Sequence, residues 1–311
     1  MGTGTSHEAV GRLGKPGRLS LLAALPLCAL LLGGTGCHSL KLAGQSPDKP
    51  ANPEKEAALA LPSKHSLRVV QFVFLADFKL REDQPIFKEL GELQEQVYKQ
   101  LQLPSSNRVV QVYLFDDKEP FKRYIHAKYP ELPERRAFFV AQPRGMNVED
   151  LLVYTYWGDQ VQQDLRHELT HALLHSVLKD VPIWLDEGLA EYFELPPQRK
   201  GVNLGHVAKL RGGPDGPPRL SLARLEQLVK VEDMHPVEYQ ESWAWVHLML
   251  HSTPEARNVL LAYLQRLRTT DKPGPLQPNL ATAFPAPEDA LADHLALLEK
   301  GIARTSARVQ R

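Results

Sequence analysis

The chain has 311 residues, of which 43% are hydrophobic and 24% are charged. This composition supplies enough apolar material for a substantial core and excludes a chain that is disordered throughout. Its 37 lysines and arginines balance 37 aspartates and glutamates, so no net charge favours nucleic acid as a partner. Two cysteines, Cys28 and Cys37, are too few for a disulfide framework or a thiolate zinc site. A metal site in this chain would therefore use histidine and carboxylate.

The N-terminal segment has the pattern of an export signal. Basic residues precede an unbroken apolar run from Leu21 to Leu32, which is short for a bilayer span and suits a cleavable signal. Small residues then lead to Gly36-Cys37, which resembles the lipobox of bacterial lipoproteins. The resemblance implies that residues 1–36 are removed and that a lipid on Cys37 attaches the protein to a membrane of the cell envelope. Secretion without a lipid is the alternative.

Proline and charge dominate residues 37–66, a composition typical of a semi-extended linker. Beyond it, the apolar patterns predict a β-α-β start, further strands and a mostly helical remainder. Strands are expected at Val69–Leu75, Arg108–Phe115, Ala137–Val140 and Leu151–Tyr156, a turn at Pro143–Gly145, and helices at Pro85–Leu101, Glu119–Lys128 and Pro287–Arg311. We therefore expect an α/β part over residues 67–157 and a helical part over residues 158–311.

The strongest motif is His-Glu-x-x-His at residues 167–171, in a segment without proline or glycine that favours a helix. At about 100° per residue, His171 lies about 40° around the helix from His167 and about 6 Å along it, so both imidazoles can bind one metal ion. The side chain of Glu168 lies to one side of the same metal position, where it can hydrogen bond a water molecule without being a ligand. The motif predicts two zinc ligands and a general base.

A second segment, Val181–Glu194, supplies candidate carboxylates. Pro182 opens a predicted helix that has Trp184, Leu185, Leu189 and Phe193 on one face. Its carboxylates Glu187 and Glu191 lie one turn apart. A hydrolytic zinc site takes three protein ligands and keeps one position open, and a carboxylate from a second helix can supply the third ligand. Either Glu187 or Glu191 meets this requirement.

The two segments together, His-Glu-x-x-His and Trp-Leu-Asp-Glu-Gly-Leu-Ala-Glu-Tyr, resemble the gluzincin metallopeptidases, in particular the peptidase-MA-like domains of bacterial lipoproteins. The resemblance extends from Asp164 to His251. It implies that Glu187 is the third zinc ligand and that the carboxylate of Glu191 orients a ligating histidine.

A third segment, Pro236–Leu250, is similar to the gluzincin helix that presents a tyrosine hydroxyl to the reaction centre. The resemblance assigns this role to Tyr239, whose hydroxyl would stabilise the developing oxyanion. His235 is an alternative donor. The structural alternative for Tyr239 is a core tyrosine at the start of a helix.

Other features are less specific. The strand Leu151–Tyr156 is either an edge strand that pairs with an extended peptide or an ordinary member of the sheet. His175 continues the helical series but is too distant from His167 to share its ion, so we expect it behind the site or on the surface. His247 and His251 repeat the spacing without the glutamate, which is weak evidence for a second metal site.

The residue patterns and the resemblance together predict an α+β fold of the zincin type, in which a small mixed sheet packs on the His-Glu-x-x-His helix and a mainly helical lobe follows. The predicted function is a zinc-dependent peptide-bond hydrolase of the bacterial cell envelope, with one Zn²⁺ and a peptide or protein as substrate. The alternative is an inactive envelope lipoprotein that keeps zinc for structure and acts as a binding module. Zinc binding by both Glu187 and Glu191 would favour that alternative, because it closes the position needed for water.

Overall fold

The computed structural model of the protein describes residues 39–41, 59–145, 148–212 and 216–309. The predicted signal segment, Cys37 and most of the predicted linker lie outside these residues. The strands are β1 Ser39–Lys41, β2 His65–Val69, β3 Phe72–Ala76, β4 Val110–Phe115, β5 Ala137–Gly145 and β6 Val148–Tyr156. The α-helices are α1 Pro85–Gln100, α2 Lys118–Lys128, α3 Val161–His175, α4 Ile183–Phe193, α5 Leu204–Arg211, α6 Leu222–Leu225, α7 Pro236–His251, α8 Pro254–Leu267, α9 Gln277–Ala283 and α10 Pro287–Val309.

The strands form one mixed, six-stranded sheet in the order β1-β5-β6-β4-β3-β2. Strands β3, β4 and β6 run parallel, while β5 and β2 run antiparallel to their neighbours β6 and β3. Strand β1, from the predicted linker, pairs with the outer edge of β5 over Phe139–Ala141. Strand β6 is hydrogen bonded on both sides, to β4 and β5. The expectation that Leu151–Tyr156 is a substrate-pairing edge strand is therefore wrong, and the alternative of an ordinary sheet member is confirmed.

Two turns differ from the sequence prediction. The predicted strand Val69–Leu75 is divided by a hairpin turn in which Val70 has a φ of 49°. A left-handed valine is rare because its branched side chain disfavours this conformation, and the turn carries no glycine or asparagine to signal it. Strand β5 continues through Pro143–Gly145, where the sequence predicts a turn. An irregularity in the pairing between these residues accommodates the proline within the strand.

Helices cover both faces of the sheet. Side chains alternate along β5, so that Phe138 and Val140 enter a small core with α2, whereas Phe139 and Ala141 enter the main core. Helices α1, α3, α4 and α7 contribute to that main core. Helix α3, which carries the His-Glu-x-x-His motif, packs directly against β5 and β6. The predicted arrangement of a mixed sheet on the motif helix is confirmed.

The helical part is built on the contact between α4 and α7. At Gly188, an added Cβ would lie 2.6 Å from the backbone oxygen of Ser242, so any side chain here would push the two helices apart. The neighbouring Trp184 and Trp243 are both 0% exposed. The predicted α+β class with a helical C-terminal part is thus confirmed. Within the described ranges, no helix combines the length and the apolar character needed to cross a bilayer.

Candidate metal centre

Helix α3 carries its motif through the interior of the protein. Arg136, just before β5, anchors the first turns by hydrogen bonding both carboxylate oxygens of Asp164. The motif residues His167, Glu168 and His171 are 5%, 0% and 0% exposed. Because bulk water is excluded from these side chains, their polar atoms need partners supplied by the protein or by a bound group.

Glu187 of α4 faces both histidines of the motif. Its Oε2 atom lies 3.5 Å from Nε2 of His167 and 3.6 Å from Nε2 of His171. Ligand atoms bonded about 2 Å from a tetrahedral metal ion are about 3.3 Å apart, so these three atoms fit one ion. Nε2 of His171 and Oε2 of Glu187 are buried and have no hydrogen-bond partner among the described residues. A metal ion would satisfy both atoms, so the residues fit the predicted group.

The other nitrogen of each imidazole meets a carboxylate. Nδ1 of His171 lies 3.0 Å from Oδ1 of Asp186, and Nδ1 of His167 lies 3.0 Å from Oε2 of Glu194. The contact of His167 with Glu194 is a hydrogen bond, whereas that of His171 with Asp186 is an ion-pair contact only. With a carboxylate at Nδ1, Nε2 of each ring is the nitrogen left for a metal ion. Helix α4 and its C-terminal cap therefore supply one ligand and orient the other two.

His175 lies behind the metal position, in one of the two places expected for it. Its Nε2 atom is 3.0 Å from Oδ2 of Asp186, whose other oxygen faces His171. Phe139 of β5 packs against the rings of His171 and His175. The histidine supports Asp186 and does not reach the ligand atoms.

Glu191 has a different hydrogen-bond partner from the one that the resemblance implies. Its Oε2 atom lies 2.8 Å from Nε2 of His206, whereas the carboxylate at Nδ1 of His167 belongs to Glu194. Atoms of His167, Glu191 and Glu194 also lie at metal-ligand spacing from one another. In that group His167 and Glu194 already pair, so the set that contains Glu187 is the better metal site.

Opposite charges determine the protonation of the site in the absence of metal. Burial disfavours a charged imidazole at His171, but the carboxylates of Asp186 and Glu187 outweigh it and raise the pKa of His171 to about 10. Burial also disfavours the carboxylate of Glu187, but His167 and His171 outweigh it and lower the pKa of Glu187. The site thus holds positive charge between its carboxylates, and a divalent cation would replace the proton.

Tyr239, the predicted oxyanion donor, lies in the first turns of α7 and is 4% exposed. One helical turn separates it from Ser242, which touches Gly188, the residue after Glu187. The helices that carry Glu187 and Tyr239, α4 and α7, therefore pack against each other. Its hydroxyl lies 3.5 Å from Nη2 of Arg135.

His235, the alternative donor, is exposed and serves as the N-cap of α7. Its backbone N–H donates to Oε2 of Glu238 at 3.0 Å, which completes a capping box. This role accounts for His235 without any part in a reaction.

A cavity of about 310 Å³ adjoins Glu187. Its walls come from the loop between α3 and α4 and from the loop that precedes α7. The residues that line it are His175, Asp180, Val181, Ile183, Asp186, Glu187 and Val229–Glu232.

Three histidines outside the metal centre form a second cluster. Nδ1 of His247 lies 2.8 Å from Nε2 of His294, and the ring of His251 stacks on His247 at a centroid distance of 4.5 Å. The hydroxyl of Tyr192 lies 2.7 Å from Nε2 of His251. Within the described part of the chain these nitrogens do not form a group at metal-ligand spacing, so the structure gives no support for a second metal site here.

The histidine cluster makes the protein sensitive to acid. Burial lowers the pKa of His247 to about 3 and that of His294 to about 4, and repulsion from neighbouring imidazoles adds to both shifts. The unfolded chain takes up these protons near pH 6.5, while the folded chain does not, so stability falls as the pH drops below 6.5. At pH 5 we expect His247 alone to account for a loss of about 2 kcal/mol relative to pH 8.

The difference between wild type and His247→Gln in urea unfolding at pH 8, 6.5 and 5, in chelator, measures this loss, because the opposite contribution of the raised pKa of His171 is common to both proteins. The variant His247→Gln should lose less stability on acidification than the wild type. His126→Gln, at an exposed position of α2, is the matched control and should behave as the wild type does. Equal losses in wild type and His247→Gln would contradict the prediction.

Comparison with known proteins gives no assignment: no protein-family model matches the chain, and no curated protein matches it. Sequence reasoning missed the roles of Asp186, Glu194 and His206 at the site. The sequence does carry a signal for Glu194, because Glu187, Glu191 and Glu194 follow the spacing of one helix face. No comparable pattern marks His206, which reaches Glu191 only through the packing of α5.

Proposed function

We propose that this protein is a zinc-dependent peptide-bond hydrolase of the gluzincin type that acts in the bacterial cell envelope. The observation that carries the proposal is the meeting of ligand atoms from His167, His171 and Glu187, with Glu168 beside the first of them on α3. Zinc accepts this mixture of imidazole and carboxylate, and hydrolytic zinc sites have three protein ligands. The His-Glu-x-x-His pattern and the resemblance to gluzincins support a peptide bond as the target.

Each buried side chain has a defined part in this chemistry. When bound, zinc would act as a Lewis acid that makes a water molecule acidic and polarises the scissile carbonyl. Glu168 takes the proton of the attacking water and passes it to the leaving amine. Tyr239 donates a hydrogen bond to the developing oxyanion, an interaction of about 3 kcal/mol. Asp186 and Glu194 hold the two imidazoles in one orientation while this happens.

The alternative function, zinc kept only for structure, requires a fourth protein ligand. Glu191 is the candidate for this place, but its carboxylate hydrogen bonds His206. Glu191 forms a group at ligand spacing with His167 and Glu194, and no such group among the described residues contains Glu191 together with His171 or Glu187. This arrangement supports a metal position with one side open to water, as hydrolysis needs.

Export and lipid attachment at Cys37 are part of the proposal and rest on the sequence pattern. Mass spectrometry of the N-terminal peptide from the membrane fraction tests this part. We expect a chain that starts at Cys37 and carries acyl groups. An unmodified N-terminus recovered outside the membrane would instead indicate simple secretion.

Metal content by mass spectrometry tests the metal centre. We expect about one zinc ion per wild-type chain and loss of this zinc in His171→Ala, because the variant removes one of three ligands. His126→Ala, at an exposed position of α2, is the matched control and should keep its zinc. Digestion of a peptide library by the same samples should give chelator-sensitive cleavage by the wild type and the control alone. Zinc without cleavage would favour the binding-module alternative, and equal zinc in all three samples would contradict the ligand assignment.

A further inference from the structure

Arg135 reaches between the two helices that carry the proposed catalytic side chains. The next residue, Arg136, is bound to Asp164 of α3, one helical turn before Glu168. From this anchored position the guanidinium of Arg135 extends to α7, where Nη2 lies 3.5 Å from the hydroxyl of Tyr239. Arg135 therefore lies beside the tyrosine proposed as the oxyanion donor and belongs to neither helix.

The guanidinium of Arg135 is incompletely paired. Its Nη1 atom is buried and has no hydrogen-bond partner among the described residues. The contact with Tyr239 is at the long limit of a hydrogen bond and engages a neutral group. Arg136 and Arg166, in contrast, pair with the carboxylates of Asp164 and Glu89. Arg135 is thus a partly buried cation whose N–H groups lack an anionic acceptor in the described part of the chain.

A buried cation of this kind is costly unless an anion completes its hydrogen bonds. The planar fork of N–H groups of arginine matches both oxygens of a carboxylate. A neutral peptide carbonyl could accept one hydrogen bond but would leave the charge unbalanced. The missing partner is therefore best supplied by a carboxylate of the bound substrate.

We propose that Arg135 is a substrate-binding residue that pairs with a carboxylate of the peptide. The carboxylate is either the free C-terminus or an aspartate or glutamate side chain at a fixed distance from the scissile bond. This inference rests on the proposed peptidase function and narrows its substrates to peptides with an acidic group near the cleavage point. The hydroxyl of Tyr239, close to Nη2, would keep its own role at the oxyanion.

Two peptide libraries, identical in sequence and differing in a free or amidated C-terminus, distinguish the two sources of carboxylate. Each peptide contains glutamate and glutamine at varied positions, so an acidic side chain is compared with its neutral isostere. The zinc-loaded full chain should cut acidic or free-acid peptides about tenfold or more in preference to their neutral counterparts. The preference should be lost in Arg135→Gln and partly kept in Arg135→Lys, which retains the charge without the fork.

Arg144→Gln is the matched control, because Arg144 lies on the exposed end of β5 and pairs with Asp150 at the surface. It should keep the full preference of the wild type. Melting temperatures of the variants show whether the folded state is intact. An equal preference for acidic and neutral peptides in the wild type, or an unchanged preference in Arg135→Gln, would overturn the inference.

Affinity selection provides a readout that does not depend on turnover. Immobilised Glu168→Gln should retain peptides rich in carboxylates from the same libraries, and the double variant Glu168→Gln/Arg135→Gln should not retain them. Retention that depends on Arg135 without any cleavage by the wild type would support the inference and contradict the peptidase proposal. Cleavage by the wild type with no dependence on Arg135 would support the peptidase proposal and contradict the inference. If no peptide is cut or retained, both proposals fail.

Discussion

The substitution Glu168→Gln is expected to slow peptide hydrolysis at least a hundredfold while zinc stays bound. Glutamine has nearly the shape of glutamate but cannot accept the proton of the attacking water. General acid–base catalysis contributes about a hundredfold to ten-thousandfold, so kcat should fall by a factor in this range. The metal should remain because the three proposed ligands are His167, His171 and Glu187. Steady-state cleavage of a peptide found by the library digest, measured together with zinc content, checks both parts.

Glu95→Gln provides the control for this experiment, since Glu95 is an exposed residue of α1 and the change in charge is the same. It should leave both kcat and zinc content at the wild-type level. Hydrolysis by Glu168→Gln at the wild-type rate would exclude Glu168 as the base. Loss of zinc from this variant would instead give Glu168 a part in holding the metal.

A second comparison concerns the two glutamates of α4. We expect Glu187→Gln to lower zinc affinity about a hundredfold to a thousandfold, because one of three ligands is weakened and structural zinc binding totals about 10–16 kcal/mol. Glu191→Gln should lower it much less, since the carboxylate of Glu191 pairs with His206. Competition with a chelator of known zinc affinity measures both values on the same scale.

A larger loss of zinc affinity in Glu191→Gln than in Glu187→Gln would identify Glu191 as the ligand, which the sequence spacing alone allows. Equally large losses in both would indicate a closed site with two carboxylates, and would favour the structural alternative over catalysis. Because zinc affinity is measured without any peptide, the outcome separates hydrolysis from a binding module before a substrate has been identified.

The local pattern of the metal centre could be predicted because it is encoded within single helices. His167, Glu168 and His171 lie within five consecutive residues, and helical geometry alone places them together. The contact of Glu194 with His167 depends on how α4 docks against α3, which no local spacing specifies. The same limit applies to the edge position expected for Leu151–Tyr156, since periodicity predicts a strand but not its neighbours. Arg135 precedes a strand and has no motif around it.

Two boundaries of predicted strands were wrong, and each error has a local cause. The turn between β2 and β3 places Val70 at a positive φ, and a valine there gives no turn signal. Strand β5 contains Pro143, a residue that normally marks a turn, and keeps it by an irregular pairing. In both cases the pairing of neighbouring strands outweighed the local preference of a residue.

Strand β1 determines how close a lipid anchor at Cys37 would lie to the folded domain. It begins at Ser39, so a single residue separates Cys37 from the sheet edge, where β1 pairs with Phe139–Ala141. Phe139 is also the ring that packs on His171. If Cys37 carries acyl chains, the candidate metal centre would be held close to the lipid headgroups and not at the end of a long flexible tether. A hydrolase held in this position would meet chains embedded in or emerging from the same leaflet by lateral diffusion.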